Sequence, residues 1–183
     1  TTEAARAADV ILERLQAIEP DRVVVQPFPV PHTRVLRCEV AVEGRATPLP
    51  LVPMRPNGII PPVTQPDGVR ARIVHVGKAS AEDFARKDVR GAIVVMDYNT
   101  GDSWLRAFRL GAKAAIFVRS GMTESRHAHY VNCSTNLLRF FYTGPAADLP
   151  EGREAVIHSE ILWEPGTGRN IFAYFRGTSP IFS

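Results

Sequence analysis

Hydrophobic positions first recur at helical spacing. Ala5, Ala8, Ile11, Leu12, Leu15 and Ile18 form one stripe, with Glu13, Arg14 and Gln16 off it, so the pattern predicts an amphipathic helix over residues 2–18. Thr2 stands where a helix is capped, and Pro20 stops it. "DRVVVQPF" then predicts a short strand and "RVLRCEVAVEG" a second one. Eleven of the 15 prolines fall between Pro20 and Pro66. That density excludes helix and central strand, so "TPLPLVPMRPNGIIPPVTQPDG" is expected as extended, edge-like chain with turns at Asn57-Gly58 and Asp67-Gly68.

From Val69 the pattern changes to β-branched runs alternating with short helices. "ARIVHVG" reads as a strand, and Ser80 as the cap of a helix, with Asp83 completing a weak capping box. The strand "AIVVM", the turn "DYNTG", a helix from about Ser103 to Leu110 and the strand "AAIFV" follow. Trp104, Leu105 and Phe108 are expected to form that helix's buried stripe, and Gly111 to close it in a left-handed conformation. Two nearly continuous apolar strands joined by one helix imply a parallel pair with a right-handed crossover. The last third returns to strands in "NLLRFFYTG", "REAVIHSEILWE" and "RNIFAYFRGT", where Val156, His158 and Glu160 alternate with Ile157, Ser159 and Ile161.

Composition narrows the class. A chain of 183 residues with 45% apolar content is long enough for one core and short for two, which predicts one domain and an arm. The net charge is +3, but the basic residues are spread from Arg6 to Arg176 without a run, a pattern that argues against nucleic-acid binding. Cys38 and Cys133 form no zinc spacing; they are either one disulfide or two separate thiols. No apolar run reaches the roughly 18 residues of a membrane span. "TTEAARAADVILERL" has no targeting pattern, which fits either a cytosolic protein or a targeting segment upstream.

Candidate chemistry is sparse. A phosphate-binding turn needs several glycines at a helix start, whereas "DYNTGDS" offers Gly101 alone, flanked by Asp97 and Asp102, which repel anions. "ESRHAHYVNC" places His127 and His129 two residues apart, on one side of a strand, with Glu124 or Cys133 as further zinc ligands; against this stands a loop with exposed histidines. There is no GxSxG elbow, and "NCS" at Asn132 fits a glycosylation sequon. His127, His129 and Tyr130 are also the candidate contacts for a peptide or protein.

The order of these motifs is informative. "RIVHVG", then "DFARKDVRGAIVVMDYNTGDSWLRAFRLGAKAAIFV", then "LLRFFYTGPAADL" resembles the protease-associated domain inserted in di-zinc aminopeptidases and glutamate-carboxypeptidase-like proteins. "GTGRNIFAYFRGTSP" looks like the strand by which such peptidases re-enter their catalytic domain. "MDYNTGDSW" departs from the family's frequent Arg-Gly pair, and the family's zinc ligands have no matching positions in this chain.

The resemblance implies a mixed α/β, β/β/α architecture with a short parallel βαβ unit and an antiparallel sheet. It divides the chain into an N-terminal helix and strand arm (1–45), a protease-associated-like domain (46–160) and a C-terminal strand and junction (161–183). It further implies no catalytic or metal-binding residue in this chain, zinc in an adjacent peptidase domain, contact with a peptide or protein substrate, and a secreted or cell-envelope location. Two other readings remain open at this stage: a free-standing peptide- or protein-binding module, and a small metal-dependent enzyme built on His127 and His129.

Overall fold

The computed structural model describes residues 2–54, 60–118, 135 and 137–177. The chain divides into two compact units, the first made of residues 1–34 and 163–183, the second of Val35–Leu162. The elements in chain order are α1 (Thr2–Gln16), β1 (Arg22–Val42), β2 (Leu49–Pro50), β3 (Val52–Pro53), β4 (Val69–His75), α2 (Ala81–Phe84), β5 (Ile93–Asp97), α3 (Leu105–Arg109), β6 (Ala114–Val118), β7 (Leu138–Tyr142) and β8 (Glu154–Tyr174).

Two of the expected boundaries are absent. The strands anticipated on either side of Pro31 form one strand, β1, and those on either side of "PGTG" form one strand, β8, each 21 residues long. Prolines and glycines were expected to interrupt them. Pro27, Pro29 and Pro31 lie at a spacing of two, so their missing N–H groups all fall on one edge of β1 and leave the other edge able to pair. Gly166 and Gly168 make room for β1 side chains. A Cβ on Gly168 would sit 2.4 Å from the Phe28 ring, and one on Gly166 would sit 2.7 Å from His32 Nδ1.

In the second unit the strands follow the order β2-β1-β8-β4-β5-β6-β7-β3. β4, β5, β6 and β7 are mutually parallel, with Ile73 opposite Ile93, Ile93 opposite Ala114 and Ala114 opposite Leu138. The parallel set is thus wider than the pair expected from "AIVVM" and "AAIFV". β8 runs antiparallel to β4, β2 to β1, and β3 to β7. β2 and β3 stand at opposite ends of this order, yet only Leu51 separates them in the chain. Consecutive Cα atoms are about 3.8 Å apart, so the sheet has rolled until its two ends nearly meet. The part of the Pro-rich segment that forms β2 and β3 is therefore extended and edge-like, as expected, and it seals the seam; the expected turn at Asn57-Gly58 lies outside the described residues.

Alternation along the strands produces two cores. Ile73, Ile93, Val95, Ile116, Phe140 and Ile157 point into the closed sheet with Val40, Leu51 and Leu149. Val74, Val94, Met96, Ala115 and Phe117 point outward and are covered by Phe84, Trp104 and Ala107 from the helical layer. Buried strands that serve both faces read as continuous apolar runs.

Several local signals hold, the weak capping box among them. The Ser80 side chain accepts from Asp83 N and the Asp83 carboxylate accepts from Ser80 N, so the capping box of α2 is complete. Those bonds, the Ser80 backbone N–H first, hold the Asp83 carboxyl below its ordinary range. Gly111 ends the α3 segment with φ +83 and Gly68 turns the chain with φ +77. The expected stripe of α3 is only partly right. Trp104 is fully buried, but Phe108 is 39% exposed and Ala107 is buried instead. The segment starts with a 3₁₀ turn over Gly101–Trp104, and in the α-helical turn that follows Ala107 lies three residues on from Trp104, on its side of the helix.

Candidate functional site

The two units differ in one respect that bears on function. Every fully buried side chain among the described residues lies between Val40 and Ile161, in the second unit. The described residues of the first unit include none. It consists of α1 and the ribbon formed by the outer parts of β1 and β8, and it exposes large apolar side chains throughout: Ile11 51%, Ile18 60%, Trp163 50%, Phe172 42%, Tyr174 53% and Phe175 56%.

α1 is nevertheless positioned. Ala8, Leu12 and Leu15 of its stripe are half-buried, whereas Ile11 and Ile18 are exposed. Arg169 of β8 fastens the helix, with Nη1 donating to Asp9 Oδ1 at 2.9 Å and Nη2 to Ala5 O at 2.8 Å. Ala7, Ala8 and Ile11 line a shallow groove with the β8 segment from Arg169 to Phe172. Along β8, Phe172 and Tyr174 are two residues apart and share a face of the ribbon. Farther along, Arg34 Nε donates to Glu164 Oε1 at 2.6 Å, and His32 Nε2 lies 3.5 Å from Glu164 Oε2.

The physical content of this unit is half of a core. A 15-residue helix is marginal alone in water, and a two-stranded ribbon is no better. Each needs its apolar face covered, and the described part of the first unit covers each only in part. The prolines of β1 also withhold N–H groups from its outer edge, so a covering partner must pack on the faces of the ribbon or extend the β8 side.

The second unit is closed by comparison. Trp104 lies beneath the Arg139 guanidinium, whose central carbon is 4.2 Å from the ring centroid, and both residues are buried. This stacking belongs to the core, in agreement with the expectation that Trp104 is a packing residue. The Tyr142 hydroxyl donates to Asp148 Oδ2 at 2.5 Å, and Arg45 Nη1 donates to the other Asp148 oxygen at 3.2 Å. Burial first, then the Asp148 carboxylate, pushes the Tyr142 hydroxyl up to about 12. Cys38 is a free, half-buried thiol raised above its ordinary value by burial.

The loop candidates from the sequence, His127, His129 and Tyr130, lie outside the described residues, as do Glu124, Asn132 and Cys133. Among the described residues no three His, Cys, Asp or Glu side chains gather as metal ligands. No helix among them is long and apolar enough to cross a membrane. The turn at Asp97–Gly101 leads into a 3₁₀ turn followed by a helix of only five residues.

The geometry resembles that of solved peptidases. A zinc aminopeptidase from Bacillus subtilis matches with a TM-score of 0.63 at 19% identity over 93% of this chain and 40% of its own. A peptidase M28 precursor from Shewanella amazonensis SB2B gives 0.60 at 19% identity over 94% of this chain and 45% of its own. An aminopeptidase from Aneurinibacillus sp. strain AM-1 gives 0.53 at 19% identity over 94% and 42%. The chain therefore spans less than half the length of these three structures, and at this identity the likeness is one of fold. No family model and no curated protein matches the sequence.

Proposed function

We propose that this chain is the non-catalytic, protease-associated part of a zinc exopeptidase, anchored to an adjacent peptidase domain through its first unit. The observation that carries this reading is the open first unit, with its exposed Ile11, Ile18, Trp163, Phe172 and Tyr174 and no buried residue of its own among those described. Covering these side chains stabilises by about 25 cal/mol per Å² of apolar area removed from water, and an adjacent domain of the same chain is the partner that never dissociates. The fold likeness supports the reading, because it spans nearly all of this chain and leaves more than half of each peptidase unmatched.

In this role zinc and the hydrolytic residues belong to the peptidase domain. The second unit restricts access to the cleft or contacts the peptide or protein substrate, with His127, His129 and Tyr130 as candidate contacts. A secreted or cell-envelope location accompanies the reading. Loops on a rigid scaffold suit such contacts, and the closed sheet is that scaffold.

The test is to express the natural reading frame in full and compare it with the 183-residue chain. The full protein is expected to bind zinc and cleave aminoacyl nitroanilides. The chain alone should cleave none. Removing residues 35–162 should spare small substrates and change the selectivity among longer peptides. A frame that ends near Ser183, or turnover by the 183-residue chain in proportion to protein, would overturn the reading.

A further inference from the structure

Three stretches distant in sequence meet at the N-terminal ends of β4, β5 and β6. Lys113 Nζ, from the residue preceding β6, donates to Arg70 O at 3.1 Å. The Gly91 N–H, ahead of β5, reaches Gly111 O at 2.7 Å. The stem of Arg90 lies 3.6 Å from where a Cβ on Gly111 would sit, and Arg109 ends α3 two residues earlier. Arg72 donates to the Asp88 carboxylate at 3.1 Å and to the Asp88 carbonyl at 2.6 Å, and it stands across the strand pair from Glu154.

One end of the second unit thus gathers Arg70, Arg72, Arg90, Arg109 and Lys113 against Asp88, Glu154 and Glu43, whose N–H bonds Glu154 O at 2.9 Å, all of them exposed. Five cations against three carboxylates leave this zone net basic. Within this basic zone two large apolar side chains face water, Phe108 at 39% and Leu110 at 45% exposure, on either side of Arg109.

We propose that this end of the second unit is a contact surface for an anionic lipid bilayer. Long cationic side chains reach lipid phosphates while their stems cover apolar surface, and protruding Phe and Leu side chains enter the boundary between headgroups and acyl chains. The combination distinguishes a bilayer from other polyanions. A nucleic-acid duplex or an acidic polypeptide would engage the charges and leave Phe108 and Leu110 in water. Near an anionic surface each Lys or Arg strengthens partitioning about fivefold. Two apolar anchors and a handful of cations therefore give reversible, salt-sensitive binding.

The experiment is co-sedimentation of the 183-residue chain with vesicles of phosphatidylcholine alone and of phosphatidylcholine containing one-quarter phosphatidylglycerol. Binding is expected to the anionic vesicles only and to fall with salt. Arg90→Gln with Arg109→Gln should weaken it about 25-fold. Arg6→Gln with Arg14→Gln removes the same charge from α1 and should leave it intact. Phe108→Ser with Leu110→Ser should abolish stable binding while lowering Tm by only a few degrees, since each side chain is already about two-fifths exposed. No binding at low salt, or equal weakening by the α1 pair, would overturn the proposal. So would retention of binding by the Phe108 and Leu110 variant together with equal affinity for heparin or duplex DNA, which would make the surface a general polyanion site.

Discussion

Two phenylalanines separate the closed unit from the open one. Phe117 is fully buried in the outer core and packs edge-on against Tyr98, with ring centroids 6.3 Å apart. Phe117→Ala removes a buried ring and leaves a cavity, which costs about 3–5 kcal/mol, including the roughly 0.5–1.5 kcal/mol of the aromatic pair. Phe172 is 42% exposed and has no closed core around it. Phe172→Ala forfeits only the part of the transfer energy already gained, about 1 kcal/mol or less. In urea, with a slope of about 2 kcal/mol per M, the first variant lowers the midpoint by about 2 M and the second by less than about 0.5 M. Hydrogen exchange read by mass spectrometry locates the effect. Amides of β5 and β6 should lose about two to four orders of magnitude of protection in Phe117→Ala and none in Phe172→Ala, while α1 and the outer parts of β1 and β8 exchange quickly in both and in the parent chain. Should Phe172→Ala cost as much as Phe117→Ala, or α1 be as protected as β5, the first unit would be a finished core, and the reading of it as a docking face would fail.

Three further outcomes follow from the second unit. Gly144→Ala would place a Cβ 2.4 Å from the Tyr142 hydroxyl oxygen, so it should displace the ring and lower stability by about 1–3 kcal/mol, seen as a fall of several degrees in Tm. Because the folded state raises the Tyr142 hydroxyl from 10.0 to about 12, its contribution is fully present below about pH 10 and is lost as pH rises through 12. The urea midpoint of the parent chain should therefore fall more steeply between pH 9 and pH 12 than that of Tyr142→Phe; parallel curves would refute this. Ser80→Ala breaks the α2 capping box and should cost about 1 kcal/mol by urea unfolding, with exchange accelerated around Asp83.

The spacing of residues determined what depends on near neighbours. Ser80 with Asp83 set the start of α2, Gly111 ended α3, and the apolar runs at Ile93 and Ala114 could only be buried strands. The alternation at Ala155, Ile157, Ser159 and Ile161 likewise carried the inner face of β8. These are short-range effects, in which each side chain acts on its own turn or its own strand face. The tertiary structure decided what depends on distant partners. β1 and β8 continue through prolines and glycines because the side chains of one occupy the space left by the glycines of the other. The sheet closes because β2 and β3 find different edges. Phe108 faces water because the outer core takes Trp104 and Ala107 from this short helical segment. The cations looked like scattered surface charge because Arg70, Arg90 and Lys113 lie about twenty residues apart, one strand-and-helix repeat of a parallel sheet. Pairing the strands in register brings them to one end, and no local pattern records that register.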